Sequence, residues 1–388
     1  MFQFTSLPPL SLYIHFPWCV RKCPYCDFNS HELKSDLPEQ QYIDSLLTDL
    51  DQELPAIWGR PVTSIFMGGG TPSLFSPEAI GQILQGVEQR IPFADDIEIT
   101  LEANPGTVEQ ARFEGYREAG VNRLSIGIQS FDPEQLKRLG RIHNSQDAIR
   151  AAESARKAGF TRFNLDLMHG LPEQTEAEAL ADLQQAIDLQ PDHISWYQLT
   201  LEPNTAFYQA PPPLPDDDTL WEIQQAGQTL IAKAGYQQYE VSAYAKPGSE
   251  ARHNLNYWQF GDYLAIGAGA HGKITWPTAD GGLEIVRTSK QRHPKQYLNA
   301  VDYTSQRTRL EPEEMPVEFL MNALRLKEGV DESLYPQRTG RPLDSLSPEL
   351  EKLQQMELME AGTGRLRTTD EGFIYLNAVL ETFLAAED

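Results

Sequence analysis

The sequence contains little cysteine: Cys19, Cys23 and Cys26 are the only three in 388 residues. An odd number of cysteines this close together does not suit disulfides, because residues three or four apart rarely reach bridging geometry. A fold held together by disulfides is therefore excluded, and a chain of this length can bury a substantial core without them.

Basic charge is also scarce. Lysine and arginine number 32 against 56 aspartates and glutamates, so the formal net charge is −24. An acidic surface repels phosphate backbones, which disfavours generic nucleic-acid binding and, with it, an enzyme that acts on RNA. We attribute the acidity itself to solubility.

Long apolar runs are missing as well. No stretch reaches the length of a membrane-spanning helix, and residues 1–6 have neither the basic start nor the apolar core of an export signal. Together with cysteines that stay reduced, these absences predict a cytoplasmic protein.

From residue 11 to about residue 200, strand-like apolar runs alternate with helical patterns. Several helices have a predicted capping residue at their start, such as Ser76, Thr107 and Thr175. The six predicted strands are residues 11–15, 64–67, 97–102, 123–127, 163–167 and 194–199. This alternation predicts a parallel sheet, either doubly wound or curved into part of a barrel. In both forms, ligands bind beyond the carboxyl ends of the strands.

Composition changes at a proline-rich run, residues 209–218, which we interpret as an exposed connector. We expect residues 1–210 to form the strand–helix unit and residues 211–305 to form a linker and a loop-rich extension over the barrel mouth. The extension has one predicted strand, residues 238–243. Residues 306–388 are expected to form a mainly helical domain, with predicted helices at 316–326, 349–359 and 372–383.

The cysteines form the pattern C-x3-C-x2-C, directly after the first predicted strand. Three thiolates in one loop repel each other unless a cation lies among them, so the loop predicts a metal site. One candidate is zinc, with His15 as a fourth ligand. The other is a [4Fe–4S] cluster, in which three thiolates leave one iron open to a further ligand. Zinc sites usually draw on two separated pairs of ligands, and this sequence has no second pair.

Polar residues and glycines follow most of the predicted strands at their carboxyl ends. Residues 68–70 are three successive glycines, which allow the backbone to approach a ligand closely. Glu102 ends the third strand, Gln129 follows the fourth, and Arg141 lies in the next loop, with a guanidinium that suits a carboxylate. Asp166 is a charge inside the apolar fifth strand, so it needs a partner or a ligand.

These motifs resemble the radical S-adenosylmethionine (SAM) superfamily and, within it, the oxygen-independent coproporphyrinogen III oxidase family. The cysteine loop, the GGGTP sequence at residues 68–72 and the polar residues of the later strands occur in that family's order over nearly the whole chain. The resemblance implies an α/β fold. Its parts would be a partial open (β/α)6 barrel, an α+β extension and a small, mainly helical C-terminal module.

The same resemblance implies a [4Fe–4S] cluster and SAM as cofactors. It assigns the cluster ligands to Cys19, Cys23 and Cys26. The positions that it assigns to SAM are Tyr13, Tyr25, Gly69, Gly70, Thr71, Glu102, Gln129, Arg141 and Asp166. Three of these positions, Tyr25, Gly69 and Thr71, contact a second SAM in the oxidase.

Three features depart from the oxidase. Asp27-Phe28 stands where the oxidase motif continues to a fourth cysteine, and the oxidase has a longer segment before its first strand. Residues 252–258, RHNLNYW, resemble the HNxxYW motif of the family's heme-chaperone branch. In that branch His253 would ligate heme iron, with Tyr257 and Trp258 packing on the macrocycle. The residues alone favour a histidine in a polar loop over the barrel mouth.

The resemblance therefore implies a heme chaperone that binds heme and a SAM-ligated cluster. Such a protein would transfer heme to an acceptor hemoprotein, for example one of the respiratory chain. The alternative is the oxidase itself, which decarboxylates coproporphyrinogen III by radical SAM chemistry. No catalytic residue is assigned, and the resemblance leaves open whether SAM is cleaved.

Overall fold

The computed structural model describes residues 7–57, 59–106, 110–277 and 283–384. Its strands, in chain order, are β1 (Leu10–Phe16), β2 (Trp18–Cys19), β3 (His31–Glu32), β4 (Val62–Gly69), β5 (Phe93–Ala103), β6 (Arg123–Gln129), β7 (Phe163–His169), β8 (His193–Gln198), β9 (Gln237–Glu240), β10 (Ala243–Ala245), β11 (Asp262–Ile266), β12 (His271–Pro277), β13 (Leu283–Lys290), β14 (Thr304–Arg309), β15 (Val330–Asp331) and β16 (Arg365–Leu366).

Helices alternate with the first strands and dominate the end of the chain. They are α1 (Glu39–Glu53), α2 (Pro77–Glu88), α3 (Gln110–Glu118), α4 (Pro133–Arg138), α5 (Ser145–Lys157), α6 (Glu176–Asp188), α7 (Ala206–Gln209), α8 (Asp217–Lys233), α9 (Arg252–Trp258), α10 (Pro294–Leu298), α11 (Met315–Ala323), α12 (Leu334–Thr339), α13 (Glu349–Gln355), α14 (Asp370–Ile374) and α15 (Leu376–Glu381). Short 3-10 turns lie at Leu54–Ala56, Pro72–Leu74 and Leu343–Leu346.

Local sequence determines where the predicted helices begin. The Ser76 side chain accepts a hydrogen bond from the backbone N–H of Ala79 and caps α2. Thr175 and Glu178 form a reciprocal capping box at the start of α6. Both caps were predicted, whereas the predicted cap Thr107 lies outside the described residues.

Among the described residues, one large sheet organises the molecule. Its strand order is β14-β13-β12-β11-β1-β4-β5-β6-β7-β8-β10-β9. The six strands β1, β4, β5, β6, β7 and β8 are neighbours and run parallel, which confirms the predicted α/β core. Because these strands are parallel, their carboxyl ends meet at one edge of the sheet.

The sheet extends beyond this core on both sides. Strand β11 pairs parallel with β1, and β12, β13 and β14 follow as antiparallel neighbours. Residues 245–305 therefore hold more regular structure than the loop-rich extension that we expected. Gly267 and Gly269 adopt positive φ in the tight turn between β11 and β12. Strand β14 also crosses the expected boundary between residues 305 and 306.

Other predicted elements are divided more finely than the sequence indicated. The strand expected at 238–243 is two antiparallel strands, β9 and β10. The last predicted helix is two short helices, α14 and α15, which meet at Tyr375. A second hydrophobic core lies in this C-terminal part, around Phe319, Leu320 and Tyr335, and reaches Phe260 and Ile285 of the preceding segment. In the part of the chain that the structure describes, no helix is long and apolar enough to cross a membrane.

Candidate functional site

A cavity of about 270 Å³ lies at the carboxyl edge of the parallel strands. The loop after β1, the glycine run at the end of β4 and the last residues of β5 and β6 supply its wall. Eleven of the thirteen predicted site residues line it: Cys19, Cys23, Cys26, Tyr25, Gly69, Gly70, Thr71, Glu102, Gln129, Arg141 and Asp166. Residues far apart in sequence are thus brought together by parallel strand order, as the strand-end rule predicts.

The three thiols lie in a short loop that is held at both ends. Strand β2 ends at Cys19 and pairs with β3, and the backbone N–H of Cys26 donates to the carbonyl of Cys23 at 3.2 Å. All three cysteines are free and half-buried. Burial raises the pKa of the Cys19 and Cys26 thiols, so that a bound cation would be needed to hold them as thiolates.

The side chains around the thiols bear on whether they bind zinc or an iron–sulfur cluster. Across the described ranges, no group of three His, Cys, Asp or Glu side chains is placed around a single metal ion. The thiols instead line one side of the first cavity, and His15, the candidate fourth zinc ligand, does not line it. A multi-iron cluster bound by thiolates suits this donor set better than one zinc ion.

The glycine run forms a cradle that a side chain would fill. Gly69 has φ of +111°, and a Cβ there would lie 2.4 Å from Cε1 of His15. A Cβ on Gly70 would lie 2.5 Å from the carbonyl oxygen of Trp18. The backbone N–H groups of Gly70 and Thr71 donate to the carbonyls of Phe16 and Trp18, at 2.7 and 2.8 Å. These bonds attach the end of β4 to the start of the cysteine loop.

Glu102 and Asp166, both half-buried, face the cavity with their carboxyl groups. Glu102 Oε2 accepts a hydrogen bond from the backbone N–H of Gly69 at 3.1 Å. Asp166 accepts from the Ser125 hydroxyl at 2.9 Å and from the Asn164 amide at 2.8 Å. Burial, together with the nearby Asp166 charge, raises the pKa of Glu102 to about 8. Burial also raises the pKa of Asp166.

Within the described ranges, neither carboxyl group forms an ion pair with a lysine, arginine or histidine. The ionised form of a carboxyl group whose pKa is raised in this way is stabilised by a nearby cation. The wall formed by Glu102 and Asp166 therefore suits a positively charged ligand.

Arg141 and Gln129 present unused hydrogen-bonding atoms. Nη2 of Arg141 donates to Asn104 Oδ1 and to the Gly127 carbonyl, both at 2.7 Å, and its Nη1 lies 3.8 Å from Cys23 Sγ. Its Nε is buried and has no partner among the described residues, and the same holds for Oε1 of Gln129. Because buried polar atoms are normally bonded, these atoms suit a polar ligand.

Two predicted residues lie elsewhere. Tyr13 lines a second, larger cavity, where its hydroxyl is 3.0 Å from His15 Nδ1. His253 lines neither cavity and is only 1% exposed.

His253 has both ring nitrogens occupied, Nδ1 by the Ser64 hydroxyl at 3.0 Å and Nε2 by the Tyr257 hydroxyl at 2.9 Å. Burial lowers its pKa to about 3, with a further contribution from Arg123. This geometry disfavours the predicted role of His253 as a heme ligand, because iron would have to displace one of two buried hydrogen bonds.

Sequence reasoning missed several residues of the first cavity. Tyr197 lies near the end of β8, Asn104 directly follows β5, and Ser125 lies within β6. The strand-end rule that found Glu102 would also have found Tyr197 and Asn104.

Two protein-family models match parts of this chain. Residues 13–186 match the Radical SAM superfamily, and residues 310–375 match the HemN C-terminal domain. The chain is 55% identical over 381 residues to the heme chaperone HemW of Escherichia coli, covering 98% of this chain and 100% of the relative.

The chain belongs to the HemW family. HemW of Haemophilus influenzae is 54% identical over 98% of this chain and 100% of the relative. HemW of Bacillus subtilis is 34% identical over 96% and 99%. The resemblance inferred from the motifs is therefore confirmed.

A solved structure shares the fold. Coproporphyrinogen III oxidase (HemN) from Escherichia coli superposes with a TM-score of 0.81 and 24% identity, over 97% of this chain and 90% of that one. This likeness confirms the predicted fold class. Radical SAM membership implies SAM and a [4Fe–4S] cluster, and the thiols, the glycine cradle and the unpaired acids of the first cavity fit both groups.

Proposed function

We propose that this protein is a heme chaperone, which binds heme together with a SAM-ligated [4Fe–4S] cluster and transfers the heme to an acceptor hemoprotein. The observation that carries the proposal is the 55% identity to a heme chaperone over 98% of the chain. The likeness to the oxidase is limited to fold, at 24% identity. A respiratory hemoprotein is the acceptor to test first.

The first cavity is the proposed site of the cluster and SAM. Cys19, Cys23 and Cys26 would ligate three irons and leave the fourth open to SAM. When bound, this pair of cofactors can supply one-electron chemistry.

The rest of the cavity would hold SAM by charge and backbone contact. Arg141 is the cation for the methionyl carboxylate, and Glu102 and Asp166 are the acids for the sulfonium and the ribose hydroxyls. Gly69, Gly70 and Thr71 offer a side-chain-poor backbone edge, Gln129 offers Oε1, and Tyr25 closes the wall.

Phe28, two residues after the last cysteine, supports heme transfer rather than porphyrinogen decarboxylation as the function. Phe28 stands where the oxidase motif has a fourth cysteine, and its ring is 59% exposed. It lines both the first and the second cavity. An exposed phenyl ring between two cavities suits contact with an apolar macrocycle.

The test is to reconstitute the cluster anaerobically and to measure heme uptake and coproporphyrinogen decarboxylation side by side. Heme-loaded protein is then mixed with an apo-hemoprotein, and heme transfer is followed by absorbance. We expect heme binding and transfer without decarboxylation.

Cys23→Ser, which removes one proposed ligand, tests whether transfer depends on the cluster. Porphyrinogen turnover without stable heme binding would overturn the chaperone proposal. Heme binding without transfer to any acceptor would reduce the protein to a heme-binding protein.

A further inference from the structure

The second cavity, of about 700 Å³, lies beside the first and is open to solvent. Five aromatic side chains line it: Tyr13, Phe28, Tyr257, Trp258 and Tyr263. They come from β1, the segment after the cysteine loop, α9 and β11, so part of the wall depends on a strand that the sequence did not predict. A wide cavity walled by aromatic rings suits a flat apolar ligand of macrocycle size.

His271, the first residue of β12, also lines this cavity. Its side chain is exposed, and neither ring nitrogen has a hydrogen-bond partner within the described ranges. Burial of part of the ring lowers its pKa, and the charges of Arg292 and Arg287 lower it further, so the neutral form of the imidazole is favoured. A neutral imidazole with a free nitrogen is a common iron ligand.

The other nearby histidines are less suited to bind iron. His15 lines the same cavity, but Tyr13 occupies its Nδ1 and the Asn29 carbonyl occupies its Nε2 at 2.9 Å. His253 is buried away from the cavity, with both nitrogens bonded. His293 does not line the cavity, and its Nδ1 caps α10 by accepting from the N–H of Lys295.

We propose that the second cavity is the heme site and that His271, rather than His253, is the axial ligand of the heme iron. This inference rests on the proposed function and specifies where the cargo binds.

The cavity also offers a cation for the propionates of heme. Arg292 is exposed in the wall, its Nε donates to Asn29 Oδ1 at 3.2 Å, and neither terminal nitrogen has a hydrogen-bond partner among the described residues. Lys290 lines the cavity too, but its ammonium is fully buried and paired with Asp49 and Glu53, both at 2.6 Å. Arg292 is therefore the propionate partner.

Heme in this cavity would be a neighbour of the cluster site, because Phe28 lines both cavities. Cargo and cluster are thereby assigned to separate pockets that share one wall.

The test compares the cluster-loaded wild type with His271→Ala, with His293→Ala as the matched control. Heme is titrated into each protein, and the difference spectrum is taken against the same cluster-loaded protein without heme. We expect His271→Ala to bind heme about tenfold more weakly or worse and to lose the spectral signature of histidine ligation, while His293→Ala stays like the wild type. Added imidazole should restore the signature in His271→Ala.

Iron and sulfide content, measured in parallel, show whether each variant still folds around its cluster. An unchanged heme spectrum in His271→Ala, with wild-type protein binding heme normally, would overturn this site and leave the chaperone proposal intact. Wild-type protein that binds no heme would instead overturn the proposed function. Loss of the histidine signature in His293→Ala as well would also count against His271 as the specific ligand.

Discussion

The hydroxyl of Tyr257 lies 2.9 Å from Nε2 of His253, and this contact makes the imidazole part of the packing between α9 and the sheet. On its other side, Nδ1 of His253 meets the Ser64 hydroxyl of β4 at 3.0 Å, and the ring stacks on Phe66. His253, which the family resemblance assigned to heme, thus connects helix α9 to strand β4.

We expect His253→Ala to lower the free energy of unfolding by about 2 kcal/mol or more, because two buried hydroxyls lose their partner. Heme affinity should change little in the folded fraction. Ser64→Ala is the control, since it removes one of the two hydrogen bonds and should lower stability by about 1 kcal/mol. Chemical denaturation and heme titration measure the two quantities. A large loss of heme affinity at unchanged stability would return His253 to the heme site.

The same histidine predicts a pH dependence. Its folded-state pKa of about 3 lies below the ordinary value of 6.5, so the unfolded chain takes up the proton first. The stability that His253 contributes is complete above pH 6.5 and falls by about 1.4 kcal/mol per pH unit below it. The stability difference between wild type and His253→Ala should therefore shrink between pH 6.5 and pH 4.5. A difference that stays constant over this range would show that His253 has the same pKa in the folded and the unfolded protein.

Gly69 predicts a steric effect on SAM binding. In Gly69→Ala, the new Cβ meets the His15 ring, which cannot move aside because both its nitrogens are bonded. We expect a destabilisation of about 2 kcal/mol and the loss of measurable SAM binding. Gly248→Ala is the matched control, because its φ is +79° but no atom lies within 4 Å of the new Cβ. Only the backbone strain of about 1 kcal/mol should remain there. Equal effects in both variants would mean that the cradle contributes nothing specific.

The Glu102 carboxyl group should release a proton when SAM binds. At pH 7 its carboxyl group is mostly protonated, because its pKa is about 8. A cationic sulfonium in the cavity favours the carboxylate, so binding should release up to about one proton. Calorimetry in buffers of different ionisation enthalpy measures this number. S-adenosylhomocysteine, which lacks the sulfonium charge, should release fewer protons from the wild type, and Glu102→Gln should release fewer protons than the wild type when SAM binds. Equal release from the wild type and Glu102→Gln would assign the proton to another group.

Replacing Cys23 by serine should abolish the iron–sulfur cluster. In Cys23→Ser we expect the iron–sulfur absorption at roughly 400 nm to disappear, since one of the three thiolate ligands is removed. Ser30→Ala is the control, because it removes only the hydroxyl that lies 3.7 Å from Cys26 Sγ and keeps all three thiols. Iron and sulfide analysis should agree with the absorbance. A full iron complement in Cys23→Ser would remove Cys23 from the ligand set.

Much of the first cavity could be predicted because it follows from strand order. Glu102, Gln129 and Asp166 belong to neighbouring parallel strands. Since ligands bind beyond the carboxyl ends of such strands, the sequence alone places all three near the same end of the sheet. Caps such as Ser76 and Thr175 are local signals and were found from a few residues. The strands β11–β14 were missed, because their pairing is decided by distant segments.

The sequence by itself determined the cysteine loop, the glycine cradle, the parallel core and membership of the family, since these depend on spacing and on period. Only the tertiary structure decided the direction in which side chains of one motif point. Tyr13 and His253 both match family positions, yet Tyr13 faces the second cavity and His253 is buried between Ser64 and Tyr257. His271 carries no motif at all. It lines the second cavity because β12 pairs with β11 and β13. Pairing between strands depends on segments far apart in the chain, so no local pattern predicts it.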